Sequence, residues 1–467
     1  MRTENRIPVT IDGKTYEANE GERLSDLLIR TGETIPMPCG GRGTCGKCLV
    51  TVDGRQVSAC RYRIGSAIDV RLPEREIIVS ETCAHESGSL TGSAVLALDV
   101  GTTTLALALV SRDDGRIVRV VTRANPQRAY GADVMSRIGF CMRHGVSALQ
   151  QAVCGAVREM LRELDAPDGA VLYAAGNTTM LHLLFGVDPS GMGSSPYTPV
   201  FLASRSASGE SLGLPQIQNV ISLPSAAAFV GADLTAGLTY IGLPEAGRYR
   251  LLLDLGTNAE VVLFSRDSAV CTAAAAGPCF EGANISCGMS ASPGAICAYG
   301  AQGYRTIGSA PAAGLCGTGL VDVIAFLLDA ETIDETGYME CAAYEVAPHV
   351  TLTQKDVREY QLAKAAVSAA VQTLLQRQGV GYDAIDALYI SGGFSTAINV
   401  ENAVKTGLLP AQLRKKCIAP GNTSLLGTVQ YACAPDRLSV PPDRMEYVDL
   451  TADPVFSDLF VDGMQFA

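Results

Sequence analysis

The stretch DVGTTTLALALVSRD, beginning at Asp99, returns as DLGTNAEVVLFSRD beginning at Asp254. Asp, Gly and Thr match at an offset of 155, and the closing Ser-Arg-Asp at 154, one residue having been dropped. Each copy reads as an apolar strand, a D-x-G-T turn, a second apolar strand and a polar turn. One such match arises by chance; the shared order and the shared tail argue for duplication. Around both copies, strands alternate with Ala/Leu-rich segments of helical character. The region beyond residue 93 is therefore expected to be α/β and built as two similar lobes, 94–245 and 246–467.

The first 73 residues differ in character. IPVTIDGKTYEA alternates about Asp12-Gly13, and CLVTVDGRQVSAC about Asp53-Gly54, which are hairpin signals. Between them, GERLSDLLIRTG sets Leu24, Leu27 and Leu28 at helical spacing and stops at Gly32. A last strand is expected near AIDVRL. Two hairpins flanking one helix predict a β-grasp unit of α+β class. Residues 74–93 end in a Ser/Gly-rich run and read as a flexible linker.

Inside the β-grasp unit lies PMPCGGRGTCGKC, with Cys60 following, so that Cys39, Cys45, Cys48 and Cys60 are spaced C-x5-C-x2-C-x11-C. Thiolates hold iron–sulfur clusters at closely related spacings. Gly40, Gly41, Gly43 and Gly46 suit a loop that must turn sharply and aim amides at sulfur. A [2Fe–2S] cluster is the expected occupant. The alternatives are a structural zinc, which usually takes two C-x2-C knuckles where only one is present, and ordinary buried thiols. Residues 5–73 resemble [2Fe–2S] ferredoxins, the five-residue first gap being nearer the adrenodoxin type. That resemblance implies that Cys39 and Cys45 hold one iron and Cys48 and Cys60 the other.

The two D-x-G-T turns suit phosphate. Glycine lets the backbone approach closely, and amides and hydroxyls supply donors. The carboxylate would hold hydrated Mg²⁺ or orient water. Two such turns facing one another would grip a nucleotide's phosphates from both sides. ALYISGGFS (387–395) ends a strand in Ser391-Gly392-Gly393-Phe394, and GLCGTGLVD (314–322) is a glycine turn opening a helix, an anion-binding end. Together these resemble the RNase H-like ASKHA ATPase fold shared by actin, sugar kinases and Hsp70. The resemblance implies a first phosphate loop of Asp99, Gly101, Thr102, Thr103 and Thr104, and a second of Asp254, Gly256, Thr257 and Asn258. It makes Gly392, Gly393 and Phe394 the adenosine loop, with Gly317, Thr318 and Gly319 as a further nucleotide contact. Asp99 and Asp254 would be the catalytic carboxylates. Asp133 and Glu260 are further candidates to position water or magnesium.

A ferredoxin joined to such an ATPase is similar to the reductive activators of corrinoid proteins. NPQRAYGADVMSRI (125–138), GNTTMLHLLFG (176–186), PSAAAFVGAD (224–233), GPCFEGANISCGM (277–289), GNTSLLGT (421–428) and the C-terminal DLTADPVFSDLFVDGMQF carry the likeness further. Longer members have an additional middle domain, whereas here 38 residues separate Cys60 from Asp99. The resemblance implies ATP-dependent transfer of one electron from the [2Fe–2S] cluster to the Co(II) corrinoid of a methyltransferase system, regenerating Co(I). It implies ATP and Mg²⁺ as cofactors, a corrinoid protein and a low-potential electron donor as partners, and a homodimer. Alternatives are an ATP-dependent activator of another low-potential metalloenzyme of the 2-hydroxyacyl-CoA dehydratase type, a small-molecule kinase, or a nucleotide-binding redox sensor.

Net charge is −12, against general binding of nucleic acid or anionic membrane. Residues 1–73 nevertheless carry +2, with Arg42, Lys47, Arg61 and Arg63 beside the cysteines. Polar MRTENRIPVT lacks a secretory h-region, apolar runs are broken by Asp, Gly and Thr, and fifteen cysteines suit a reducing compartment, so a cytoplasmic location is expected. Cys271, Cys279, Cys287 and Cys297 recur without a C-x2-C and read as core residues, not a second cluster. His85, His144, His182 and His349 are scattered and read as structural.

Overall fold

The computed structural model describes residues 6–33, 35, 37, 39–43, 48–73, 90, 92–256, 258–393, 397–435 and 437–466. Most of the linker expectation at 74–93, and His85 with it, lies outside them. Two compact units divide the chain, Met1–Ser222 and Leu223–Ala467.

At the start of the first unit, alternation of apolar and polar residues produces a five-stranded sheet in the order Lys14–Asn19, Arg6–Ile11, Ile68–Arg71, Leu49–Val52, Arg55–Ser58. Both hairpins turn where expected. Asp12 and Asp53 take φ 45° and 47°, and the glycines after them 84° and 80°, as tight hairpins require. The first and last strands run parallel as neighbours, which is the β-grasp signature. Leu24, Leu27 and Leu28, fully buried on the Leu24–Arg30 helix, cover one face of the sheet with Val9, Val50 and Val70. Each such side chain contributes roughly 1.5–3 kcal/mol of burial.

The duplication is visible in the two larger sheets. In the first unit the order is Ser206–Ser208, Ile217–Ser222, Ala170–Gly176, Ala94–Val100, Thr104–Ser111, Ile117–Ala124. In the second it is Cys417–Ile418, Ile385–Ser391, Tyr249–Leu255, Ala259–Phe264, Ala269–Ala274, Met445–Tyr447. In each, an antiparallel three-strand meander begins with the Asp-bearing strand, and a parallel strand lies on that strand's other side. These are two copies of the RNase H-like arrangement, joined to a β-grasp unit. Their central strands are apolar on both faces because both faces are covered: Leu96, Ala97 and Leu98 are wholly buried, as are Leu251, Leu252 and Leu253.

One boundary differs from the expectation of 245/246. The helix Ala232–Ile241 belongs with the second unit, where Val230, Leu234 and Leu238 pack on Leu252, Val262 and Phe264. Its backbone also meets the helix Thr423–Cys433 so closely that a Cβ on Gly427 would stand 1.8 Å from the Ala236 carbonyl oxygen. The halves therefore divide at Ser222/Leu223 by packing, although the sequence repeat restarts later. Among the described residues no helix is long and apolar enough to cross a membrane.

Candidate functional site

Hairpin register explains half of the cysteine spacing. Leu49 pairs with Ser58 and Val52 with Arg55, which sets Cys48 beside the residues that close the hairpin. The Ala59 amide donates to the Cys48 carbonyl at 2.9 Å, and the Cys48 and Cys60 Sγ atoms come to 3.2 Å. That is direct sulfur contact, well beyond the S–S bond length of about 2.04 Å. Cys39 lies in the preceding loop, buried like the other two, with its carbonyl accepting from Arg42 Nε at 3.0 Å. Cys45 lies outside the described residues. Among the described residues no three His, Cys, Asp or Glu side chains converge as a metal site, so the full set of four rests on Cys45.

The loop is shaped as the chemistry demands. Gly40, Gly41 and Gly43 take φ of 61°, 78° and 79°, where any side chain is strained. A Cβ on Gly43 would stand 2.9 Å from Arg61 Nε. Soft thiol donors on a tightly turned glycine backbone, two of them in contact, fit a thiolate-held cluster.

Both D-x-G-T turns sit at the tip of the first hairpin of their sheet. Asp99 ends Ala94–Val100 opposite Ala106, and Asp254 ends Tyr249–Leu255 opposite Glu260. A Cβ on Gly101 would fall 2.6 Å from the Thr104 carbonyl oxygen, which is why glycine is needed there. The first turn is held from behind. Asn125 Nδ2 donates to the Gly101 carbonyl at 2.8 Å, and the Asn125 amide to that of Thr103 at 2.8 Å. Arg137 Nη2 donates to the Thr102 carbonyl at 2.5 Å. Thr103 lies beyond the strand end, and Thr104 opens the next strand, exposed. In the second turn the Gly256 amide donates to the Asn258 carbonyl at 3.0 Å. Thr257 lies outside the described residues.

Glu260 faces Asp254 across the hairpin. Burial and the neighbouring Asp254 charge, with Asp233 adding to them, push its carboxyl well above the ordinary range. Asp133, by contrast, caps the helix Val134–His144: its Oδ1 accepts from the Ser136 amide and its Oδ2 from Ser136 Oγ, both at 2.7 Å. That occupies the carboxylate in capping, which explains its place ahead of a helix without a catalytic role.

Parallel pairing places the glycine turns. Asp254 neighbours Ser391, so Gly392 and Gly393 follow directly beside the second Asp turn. Gly392 has φ 97°, and a Cβ there would stand 2.2 Å from the Leu255 carbonyl oxygen. Phe394 lies outside the described residues. The first unit repeats this device: Val100 neighbours Gly176, where a Cβ would stand 2.7 Å from the Val100 carbonyl oxygen. Gly176-Asn177-Thr178 is thus the counterpart of Ser391-Gly392-Gly393. Sequence reasoning missed the equivalence, although a glycine closing an apolar strand was its signal.

Gly317, Thr318 and Gly319 open the helix Gly317–Asp329 as expected, but all three are buried. Thr318 Oγ1 donates to the Cys297 carbonyl at 2.8 Å, and a Cβ on Gly319 would meet the Ile296 carbonyl oxygen at 2.0 Å. Their small size serves close packing of helix on strand.

The four cysteines of the second unit, Cys271, Cys279, Cys287 and Cys297, do not gather into a cluster site among the described residues. His182 is buried, accepting from the Val200 amide through Nε2 and stacked on Phe201 at 4.3 Å.

Comparison with known proteins covers the whole chain. Residues 4–74 match a family model described as a 2Fe-2S iron-sulfur cluster binding domain. Residues 94–246 match one described as the RACo middle region, so a region of that description is present, as the first of the two duplicated sheets. Residues 248–467 match the C-terminal domain of RACo, the ASKHA domain. The corrinoid activation enzyme RamQ of Eubacterium limosum is 25% identical, over 96% of this chain and 97% of that protein. A [Co(II) methylated amine-specific corrinoid protein] reductase of Methanosarcina barkeri is 28% identical, over 71% of this chain and 68% of the relative. The solved structure of a reductive activator for a corrinoid, iron-sulfur protein superposes with a TM-score of 0.69 at 26% identity, covering 98% of both chains. Two models of one family, laid end to end over residues 94–467 behind a cluster-binding domain, make this chain a member of the RACo family.

Proposed function

We propose that the chain is an ATP-dependent reductive activator that returns the Co(II) corrinoid of a methyltransferase-system corrinoid protein to Co(I). The observation that carries this is end-to-end likeness to corrinoid activators in a chain that also holds two matched D-x-G-T turns. Co(I) demands a very low potential, and each 59 mV of shortfall costs about tenfold in a one-electron equilibrium. Coupling to ATP supplies the remainder only if the nucleotide is bound differently before and after the partner engages.

Cys39, Cys45, Cys48 and Cys60 would hold the [2Fe–2S] cluster, which when bound supplies the one-electron couple. The basic Arg42, Arg61 and Arg63 around that loop would steer an acidic donor or corrinoid partner. Gly101, Thr102, Thr103 and Thr104 in one half, and Gly256, Thr257 and Asn258 in the other, would contact phosphates through amides and hydroxyls. Gly392, Gly393 and Phe394 would lie under the adenosine, with Gly317, Thr318 and Gly319 supporting the site from the helix start. Asp99 and Asp254 would hold hydrated Mg²⁺ and orient the attacking water. A low-potential electron donor, a homodimer and a cytoplasmic setting complete the assignment, as the family resemblance implies.

The test mixes reduced protein, Mg-ATP and a cognate Co(II) corrinoid protein under anaerobic conditions and follows the visible spectrum. Co(I) should accumulate only with ATP present. Failure with the cognate partner, alongside rapid phosphorylation of a metabolite, would overturn the proposal.

A further inference from the structure

The segment between Asn125 and Arg143 touches both the first phosphate turn and the cysteine loop. Toward the turn, Asn125 and Arg137 hold the carbonyls of Gly101, Thr102 and Thr103. Because a trans peptide points its C=O and the next N–H in opposite directions, this aims the Thr102 and Thr103 amides away from the segment. Arg137 is wholly buried and is fixed further by the Gly131 carbonyl at 2.9 Å and Gln127 Oε1 at 3.2 Å.

Toward the cysteine loop, the Met37 amide donates to the Ala129 carbonyl at 3.2 Å. Arg42 Nη2 donates to Ser136 Oγ at 3.2 Å, the same hydroxyl that donates to Asp133. Arg143 Nη2 donates to the Gly40 carbonyl. Gly40 lies so close to the helix that a Cβ would stand 2.9 Å from the Ser136 carbonyl oxygen. Arg137, Ser136 and Arg143 all belong to the helix Val134–His144, one rigid element.

We propose that this helix and the segment leading to it couple the two sites: Arg137 positions the first phosphate turn, Ser136 and Arg143 position the cysteine loop, and occupancy of one biases the other. The proposal rests on the functional reading above. Its physical basis is a difference between states at each end. Phosphates drawn to the turn shift peptides that Arg137 and Asn125 hold. An electron added to the loop adds a negative charge beside the Arg42 and Arg143 guanidiniums, tightening the loop on the helix. By linkage, a nucleotide that tightens docking favours the reduced protein, and one that loosens it favours the oxidised protein, by the same factor.

The experiment uses the full chain, loaded with its cluster under anaerobic conditions, and a non-hydrolysable ATP analogue with Mg²⁺. Calorimetry gives nucleotide affinity for the oxidised and reduced forms. Redox titration followed by electron paramagnetic resonance gives the midpoint with and without nucleotide. The two affinities should differ by about fivefold or more, and the midpoint should shift by a matching 40 mV or more, at about 59 mV per tenfold. In the double variant S136A/R143Q both effects should fall below about twofold, with iron content and melting temperature kept. Equal affinities and an unmoved midpoint in the parent chain overturn the coupling, as does full coupling in the variant. Should the variant lose its iron, amide exchange on the parent chain decides: nucleotide must change protection at both 37–43 and 129–143, and a change at neither overturns the proposal. A chain that binds no iron or no nucleotide overturns the functional reading itself; one that binds both without linkage overturns the coupling alone.

Discussion

Gly392 and Gly393 are adjacent in sequence, yet replacing each with alanine should have opposite results. At Gly392, φ is 97° and a new Cβ would stand 2.2, 2.8 and 2.9 Å from the O, C and N atoms of Leu255. These are backbone atoms in the middle of paired strands, so no rotamer change relieves the clash. Left-handed strain costs roughly 1–3 kcal/mol, and overpacking a filled site costs about as much again. A combined cost of about 2–5 kcal/mol would lower the melting temperature by on the order of 10 °C while leaving the protein folded. Restoring ordinary contact requires Leu255 to recede by on the order of an ångström, and Leu255 directly follows Asp254 in the second phosphate turn. Misplacement of that size costs on the order of a hundredfold where catalytic geometry matters, so ATP hydrolysis should fall by about that factor. At Gly393 the residue is exposed, no atom lies within 4 Å of a new Cβ, and φ is outside the left-handed region. Gly393→Ala should therefore melt within a degree or two of the parent. Thermal unfolding by circular dichroism and a steady-state phosphate-release assay report both quantities. A Gly392→Ala protein with parental stability and turnover would refute the packing argument.

Further expectations concern single side chains. Cys48→Ser and Cys60→Ser should each reduce bound iron to background, measured by iron analysis and visible absorption of anaerobically purified protein; a retained brown colour in both would rule these thiols out. Asp133→Asn keeps a carbonyl oxygen to cap the Val134–His144 helix and should retain ATP hydrolysis, whereas Asp133→Ala should lose about 1 kcal/mol of stability; loss of turnover in the Asn variant would restore Asp133 as a base. Glu260 has a raised folded-state pKa, so the folded chain holds its proton more tightly than the unfolded chain does. Its contribution is fully present below the ordinary value of 4.5 and is lost as pH rises through the raised value. Glu260→Gln, melted without nucleotide or divalent cation, should therefore gain stability relative to the parent at pH 7.5 but not at pH 4.5; an equal difference at both would contradict the burial argument.

Local pattern carried much of this protein. Asp12-Gly13 and Asp53-Gly54 announce their hairpins because few other dipeptides accept two consecutive positive φ values. Leu24, Leu27 and Leu28 announce one buried helical face. The cysteine spacing is legible because the hairpin between Cys48 and Cys60 has a register that its own turn sets. The Asp133 reading went astray for a related reason: a carboxylate ahead of a helix reads alike as a base or as a cap until the Ser136 amide is seen against it.

What the sequence alone determined was a β-grasp unit bearing a thiol-rich loop and a duplicated strand–turn–strand, since hairpins and repeats are written in neighbouring residues. Tertiary structure alone decided which glycines stand against an Asp-bearing strand, because Gly176 meets Val100 and Gly392 meets Leu255 through parallel pairing across long stretches of chain. It also decided that Ala232–Ile241 packs with the second half, that Thr318 is spent on the Cys297 carbonyl, and that one helix reaches both the cysteine loop and a phosphate turn. Such contacts depend on how finished elements fill space against one another, and that packing has no local pattern to read.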